Sequence, residues 1–369
     1  MSESGGGVTL PSVHIVGTGL IGASLGIALT RAGASVTVED QSITAASLAR
    51  DLGAGSVNEP IAPDLVVVAA PPDVTPMLVA RALDRWSGAF VTDVASVKGV
   101  VLADLQRLGV DLARYVGSHP MAGRERSGAI AARGDLFEGR AWVLCPHDAS
   151  DPRATAAVRA IADAVGAAVT TLGAAEHDAA VAAVSHVPQV AASLVAARLE
   201  DLTEAAIGLA GPGVRDVTRI AASDPGLWTQ ILSGNAPAVR TVLADVAADL
   251  TEVVTALDDL GDGLDRDAPG ARAVLARTIA AGNLGRARIP GKHGSAPTQY
   301  AVVSVLVPDE PGQLARLLND IGEADINIED LRLEHGLGIP FGVADVAVLP
   351  AAQLRLEEEL STRGWQVHD

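Results

Sequence analysis

The chain has 369 residues, a formal net charge of −18 and a single cysteine, Cys145. That length supports two or three domains with cores of their own, and the acidic balance argues against nucleic acid or an anionic membrane as partner. One cysteine excludes an intrachain disulfide and a thiolate metal cluster, and a basic or apolar leader is missing from the opening MSESGGG. Residues 1–11 are expected to be a disordered start, and the apolar runs are too short to span a bilayer. A cytoplasmic protein is expected.

Val13 to Val16 form an apolar, strand-like run that breaks into Gly17-Thr18-Gly19-Leu20-Ile21-Gly22. Leu25, Ala28 and Leu29 then recur at helical spacing, and Ser35 to Val38 make a second strand-like run ending in Glu39 and Asp40. Strand, G-x-G-x-x-G, helix, strand and acid is the dinucleotide-binding fingerprint in its proper context. Gly17 allows the tight turn, Gly19 lets the backbone approach a pyrophosphate, and Gly22 lets helix pack closely on strand. The helix N-terminus faces the negative charge. A carboxylate at the end of the second strand accepts hydrogen bonds from a ribose 2′-hydroxyl and repels a 2′-phosphate. Asp40 shares strand parity with Val36 and Val38 and is preferred to Glu39; Gln41 to Thr44 supply no cation. The expected cofactor is NAD.

A helical stretch from Ala45 to Leu52 leads to the apolar run Asp64 to Pro72, which reads as a buried parallel strand with Ala70 and Pro71 over the cofactor. Residues 74–85 return as a helix, and the strand Phe90 to Val94 runs on through Ser96 to Lys98. A further helix and strand deliver His119 and Pro120 on a loop at the ligand edge, and Ala141 to Cys145 is the last strand expected of a Rossmann-type α/β domain over residues 12–150. From 151 to 281 the texture is alanine-rich and helical, with breaks or kinks expected at Pro188 and at Gly211-Pro212-Gly213. So much apolar small-residue helix suggests an all-α domain that also supplies a homodimer interface. Residues 282–299 read as a linker. Residues 300–369 give strand, helix, two strands, helix and a short strand, the α+β ferredoxin-like order.

Hydride removal from an alcohol carbon needs a base for the hydroxyl proton, and a histidine titrating near neutrality suits that role. His119 is the candidate, with Ser96 holding the imidazole or the substrate hydroxyl; the alternative is a loop histidine bonded to backbone. His14 reads as structural, and His177 and His186 as satisfied interior histidines within reach of the cleft. Arg219 offers a guanidinium fork for a carboxylate, or a structural pair with Asp216 three residues earlier.

Together GTGLIGASLGIAL, TDVASVKG, SHPMAGRERSGA…LFEGRAWVL, EHDAAVAAVSHVP and VRDVTRIAASDPGLW resemble the prephenate/arogenate dehydrogenase family of tyrosine biosynthesis. The terminal VPDEPGQLARLLNDIGEADINIEDLRL resembles an ACT regulatory domain. The first resemblance implies that His119 accepts the proton of the ring C4 hydroxyl, that Ser96 assists it, and that Arg219 anchors a substrate carboxylate. It also implies Asp216 and Trp228 near the site and His186 in its helical wall. In two places the chain departs from the family pattern. Arg124 stands where threonine is common, beside the matching Glu125, and Gln189 stands where some members carry a second histidine. Arg124 is either a second carboxylate contact or the partner of Glu125.

The reaction implied is NAD-dependent oxidative decarboxylation of prephenate, or alternatively arogenate, without a metal. A β-hydroxyacid dehydrogenase is a competing reading, but that family relies on a lysine from the helical domain and no lysine occurs between Gly99 and Gly291. A non-catalytic sensor of NAD and an amino acid is another. In the ACT-like segment Asp309 and Gly312 lie in the loop before the first helix, and Asn327 and Ile328 open the next strand. These four are the candidates for binding an amino-acid effector, tyrosine foremost, at a paired interface; the alternative is a dimerisation module with no ligand.

Overall fold

β1 (Val13–Val16) is buried along its whole length and pairs in parallel with β2 (Val36–Glu39) on one side and β3 (Leu65–Val68) on the other. This computed structural model describes residues 10–123, 128–261, 270–289, 300–335 and 340–368, and the chain divides into two units, residues 1–246 and 247–369. The expectations for a disordered start, for Arg124 and Glu125 and for much of the linker fall on residues outside the described set.

Helices α1 (Leu20–Arg31), α2 (Ile43–Asp51), α3 (Thr75–Arg85) and α4 (Gly99–Leu108) alternate with the strands, β4 being Phe90–Asp93 and β5 Tyr115–Pro120. The start and stop signals are local ones. Ser42 caps α2 by accepting the Ala45 N–H at 3.2 Å, and Gly109, in the left-handed region at φ 69°, ends α4. Leu25, Leu29, Trp142 and Ile161 belong to one apolar core against the sheet, and Val79, Leu83, Val101 and Leu105 to a second.

The sheet has seven strands in the order β2-β1-β3-β4-β5-β6-β7, with β6 at Ala141–Cys145 and β7 at Ala168–Thr171. Its winding reverses between β1 and β3, where ligands of such sheets bind beyond the strand ends. The structure corrects two expectations here. The domain does not end at residue 150: α5 (Pro152–Ala164) packs Val158 and Ile161 into the core and returns the chain to β7, which pairs with β6. His119 is not on a loop. It lies within β5, opposite Val143 of the antiparallel β6, so the sheet's own ladder holds its backbone.

Next come α6 (Ala174–Val181), a π-helical turn (Ala182–His186) and α7 (Val187–Ala197). Pro188 does not end the helical stretch: a proline disturbs a helix through its missing N–H and its clash with the preceding turn, and the wide π turn just before it accommodates both. Ala174–Ala197 is long and apolar enough in composition to cross a membrane, yet it buries His177, Asp178, His186 and Gln189 within the protein. Three short helices follow, α8 (Glu204–Ile207), α9 (Pro212–Thr218) and α10 (Pro225–Gly234), then the long α11 (Ala236–Gly261).

In the second unit α12 (Ala271–Ala287) is helical through the first residues of the expected linker, which therefore does not begin at 282. Beyond it β8 (Ala301–Pro308), α13 (Gln313–Glu323), β9 (Asp330–His335), β10 (Phe341–Val348), α14 (Gln353–Thr362) and β11 (Gln366–His368) form an antiparallel sheet in the order β11-β8-β10-β9. Leu317, Ile321, Leu356 and Leu360 of the two helices pack with Val303, Val305 and Val346. Asn327 and Ile328 precede β9 instead of opening it, and Ile328 packs against this core.

Candidate active site

Gly17, at φ 102°, turns the chain sharply out of β1, and a Cβ there would stand 2.3 Å from the Ala69 carbonyl oxygen. A Cβ on Gly22 would stand 1.9 Å from the Gly17 carbonyl oxygen, whereas one on Gly19 would meet nothing within 4 Å. The first and third glycines are thus required by backbone crowding, and the second leaves open surface above the first turn of α1. Gly19 caps that helix without a side-chain hydrogen bond, so the first N–H groups of α1 are presented to an anion. Asp40 follows β2 and accepts from the Thr18 N–H at 2.8 Å and the Thr18 hydroxyl at 2.9 Å. Glu39 turns the other way, 3.3 Å from the buried His14, whose hydrogen bond holds its carboxyl below the usual range. Asp40 is therefore the acid at the glycine loop.

A cleft of about 870 Å³ opens beyond these strand ends. Its lining includes Gly19, Leu20, Ile21, Ala70 and Pro71 from the glycine-loop side, Ser96 and His119 from the ends of β4 and β5, and Gln189, Arg219 and Trp228 from the helices. The Thr75 hydroxyl donates to the carbonyls of Ala70 and Pro71 at 3.2 and 2.9 Å, fixing that loop. His119 Nδ1 lies 2.9 Å from Nε2 of His177, whose Nδ1 lies 2.8 Å from Asp178 Oδ1. Burial pushes the pKa of His119 well below the usual histidine value, and His177, Lys98 and His186 add to the effect. Burial raises the pKa of Asp178, but hydrogen bonds from His177 and from the N–H groups of Lys98 and Gly99 together outweigh it and leave the carboxyl below its ordinary value.

Under β5 lies a buried polar layer. Lys98 and Asp93, both fully enclosed, form an ion pair. The Lys98 ammonium also donates to the Ser118 carbonyl at 2.7 Å, and the Tyr115 hydroxyl donates to Asp93 Oδ2 at 2.7 Å. Desolvation, reinforced by Asp93, raises the pKa of that tyrosine well above its usual value. These bonds pin the strand residue just before His119 to the strand that carries the Ser96 loop.

The sequence signature described as "Prephenate dehydrogenase, nucleotide-binding domain" matches residues 25–171, and "Prephenate dehydrogenase, dimerization domain" matches 173–267. A probable prephenate dehydrogenase of Streptomyces niveus is 37% identical over 355 residues, covering 95% of this chain and 98% of that protein. The chain belongs to the prephenate dehydrogenase family. A cyclohexadienyl dehydrogenase of Zymomonas mobilis is 31% identical, covering 66% of this chain and 88% of its own length. Among solved structures, the prephenate dehydrogenase of A. aeolicus in complex with hydroxyphenyl propionate and NAD+ is 28% identical with a TM-score of 0.65, covering 77% of this chain and 99% of that one.

Within this member of the family, two residues suggested by resemblance stand away from the cleft lining. His186 is buried behind it, its ring 6.1 Å from that of Trp228, and Asp216 lies on α9 one turn before Arg219. Gln189 is buried at the wall, with Ser223 and Ser193 at 3.4 and 3.5 Å, long distances that leave its amide loosely held. Sequence reasoning placed His177 in the interior within reach of the cleft but missed its bond to His119, and it missed Asp178, Lys98 and Asn235. The Asn235 amide donates to the Asp178 carbonyl at 2.8 Å and approaches His186 Nδ1 at 3.1 Å. A signal existed for the first pair, since His177-Asp178 stands eight residues ahead of Ser185-His186 on one helical stretch.

Replacing Lys98 by methionine strands the buried Asp93 carboxylate. That is expected to cost roughly 3–5 kcal/mol, read as a lower urea midpoint at unchanged slope.

Proposed function

We propose that the protein is an NAD-dependent prephenate dehydrogenase, converting prephenate to 4-hydroxyphenylpyruvate and carbon dioxide in tyrosine biosynthesis. One observation carries the reading: the glycine loop, His119 and the Arg219 guanidinium line a single cleft. A dehydrogenase acting on an anionic alcohol needs those three functions side by side. The crowding at Gly17 and Gly22 and the open surface at Gly19 fit a dinucleotide pyrophosphate on the first turn of α1, with Asp40 toward the adenosine ribose. The bound nicotinamide supplies the hydride acceptor.

His119 keeps Nδ1 on His177, so Nε2 is the nitrogen for the substrate. It takes the C4 hydroxyl proton as the hydride leaves C4, and the C4–O bond becomes a carbonyl. The C1 carboxylate then departs as carbon dioxide. The electron pair of the broken C–C bond enters the ring, which becomes aromatic, and the oxygen regains a proton from His119. Ser96 orients the hydroxyl or the imidazole, and Arg219 holds a carboxylate by a paired charge and fork geometry. Trp228 closes the apolar side. Arogenate, which carries an amino group in place of the keto group, is the second reading, favoured by the loosely held Gln189 amide, which presents both a donor and an acceptor.

We also read residues 300–369 as an ACT-like module that binds an amino acid, tyrosine foremost. The βαββαβ unit and a separate cavity of about 330 Å³ lined by Gln313, Arg316, Phe341 and Trp365 support that reading. Exposed apolar residues such as Val184, Leu194 and Leu250, within the segment matched as a dimerization domain, favour a homodimer. The protein is expected to be cytoplasmic.

Purified protein should reduce NAD on addition of prephenate, with arogenate the weaker substrate; inactivity with both would overturn the assignment. His119→Asn should lower kcat by roughly 10²-fold or more. Activity requires the neutral imidazole, so kcat/KM should fall as pH drops through the His119 pKa. That pKa is depressed, so the acid limb should lie below about pH 6.5 and vanish in the variant.

Asp40→Ala should raise the KM for NAD and relax the discrimination against NADP, measured as the ratio of kcat/KM values for the two cofactors.

Tyrosine should inhibit the full chain with a coupling of roughly 1–3 kcal/mol and lose that effect on a chain shortened to end at Gly291. Equal inhibition of both would place tyrosine in the active site as a product-like competitor.

A further inference from the structure

We infer that His177 and Asp178 act as a positioning relay that sets which nitrogen of His119 carries the proton, an inference that rests on the general-base reading above. The bonding order follows from what each group can do. A carboxylate only accepts, so the nitrogen of His177 that faces Asp178 Oδ1 at 2.8 Å, Nδ1, carries the hydrogen. In the neutral ring Nε2 is then an acceptor, and it faces Nδ1 of His119 at 2.9 Å. His119 must donate through Nδ1 to make that bond. Its lone pair is consequently on Nε2, the atom assigned to the substrate hydroxyl. The chain runs His119 Nδ1–H to His177 Nε2, and His177 Nδ1–H to Asp178.

Asp178 cannot turn to release this arrangement. The Lys98 N–H donates to its Oδ1 at 2.9 Å and the Gly99 N–H to its Oδ2 at 2.7 Å. Both N–H groups belong to the start of α4, whose partial positive charge keeps the carboxylate ionised. His177 is fully buried, so no water competes for Nε2. When His119 takes up a proton, the positive charge forms against a neutral imidazole backed by a carboxylate, the orientation that favours an imidazolium in acyl-transfer triads. The groups that surround His119 from the other elements are Lys98 at the start of α4 with its ion-pair partner Asp93 at the end of β4, His186 from the π turn, and Ser96 and Arg219 on the cleft wall. His177 is the group hydrogen-bonded to the imidazole, at 2.9 Å.

Two measurements test the relay. Nitrogen-15 spectra of the histidine rings in the wild-type protein, assigned with His119→Asn and His177→Asn, should show both rings protonated on Nδ1 at neutral pH. His119 protonated on Nε2 would overturn the inference outright. In kinetics, His177→Asn should lower kcat by about 10-fold or more with the NAD dissociation constant unchanged. His177→Gln should recover much of the loss, because its amide oxygen takes the place of Nε2 as acceptor. In a His119→Asn background the His177→Asn change should alter kcat by less than about twofold, since coupled residues are non-additive. An equal fractional loss in both backgrounds, or equal loss with Asn and Gln, would mean that His177 is merely structural. Near-normal kcat in His119→Asn alone would instead overturn the general-base reading.

Discussion

A carboxylate that has lost its water must find donors, and the way Asp178 finds them organises the catalytic half of the molecule. Its two oxygens take N–H groups from the first residues of α4 and the imidazole of His177, while its own carbonyl accepts from Asn235 just ahead of α11. Burying such a group unpaired would cost several kcal/mol or more. With its donors in place the same group becomes a clamp. It draws together the start of α4, the α6 helix that carries it and the residue just ahead of α11.

The layer beneath adds a second clamp of the same chemistry. Lys98 pairs with Asp93 and reaches the Ser118 carbonyl, while Tyr115 reaches the other Asp93 oxygen. An apolar replacement could match its stability, but would not define the positions of the β4 and β5 ends relative to each other to the same degree. Directional bonds suit a site where the hydroxyl of Ser96 and the ring of His119 must meet one substrate oxygen.

The parts legible in the sequence were those encoded locally. The glycine loop, Asp40 and the alternation of strands and helices through Cys145 are read from residues within a turn or a strand of each other, and they stand where expected. The βαββαβ order of the last segment was legible for the same reason. The rest depended on distant pairings. His177 touches His119 across 58 positions of chain, and the residues around His177 suggest an interior histidine near the cleft without naming its partner. The antiparallel β6 and the added β7 depend on which strand accepts a neighbour, information held in the sheet. Pro188 read as a break or kink because a proline's local effect is known, while the π turn that absorbs it is a property of the whole helix. Resemblance suggests His186 in the helical wall of the site, and it lies buried in that helical stretch with its ring 6.1 Å from that of Trp228.

That π turn carries a consequence about length. A helix advances about 100° per residue, and a π turn adds one residue to a revolution, so Ala182–His186 rotates everything after it back by about that angle relative to an uninterrupted helix. The stretch therefore acts as a phase shifter between two banks of side chains: His177 and Asp178 before it, His186 and Gln189 after it, all four buried toward the protein. Ala183 and Val184 in its middle face outward, and neither side chain is part of the cleft lining. Their number still matters. Removing either one would restore an even helix, swing one bank away from the other, and dismantle the wall of the cleft without altering any residue that lines it.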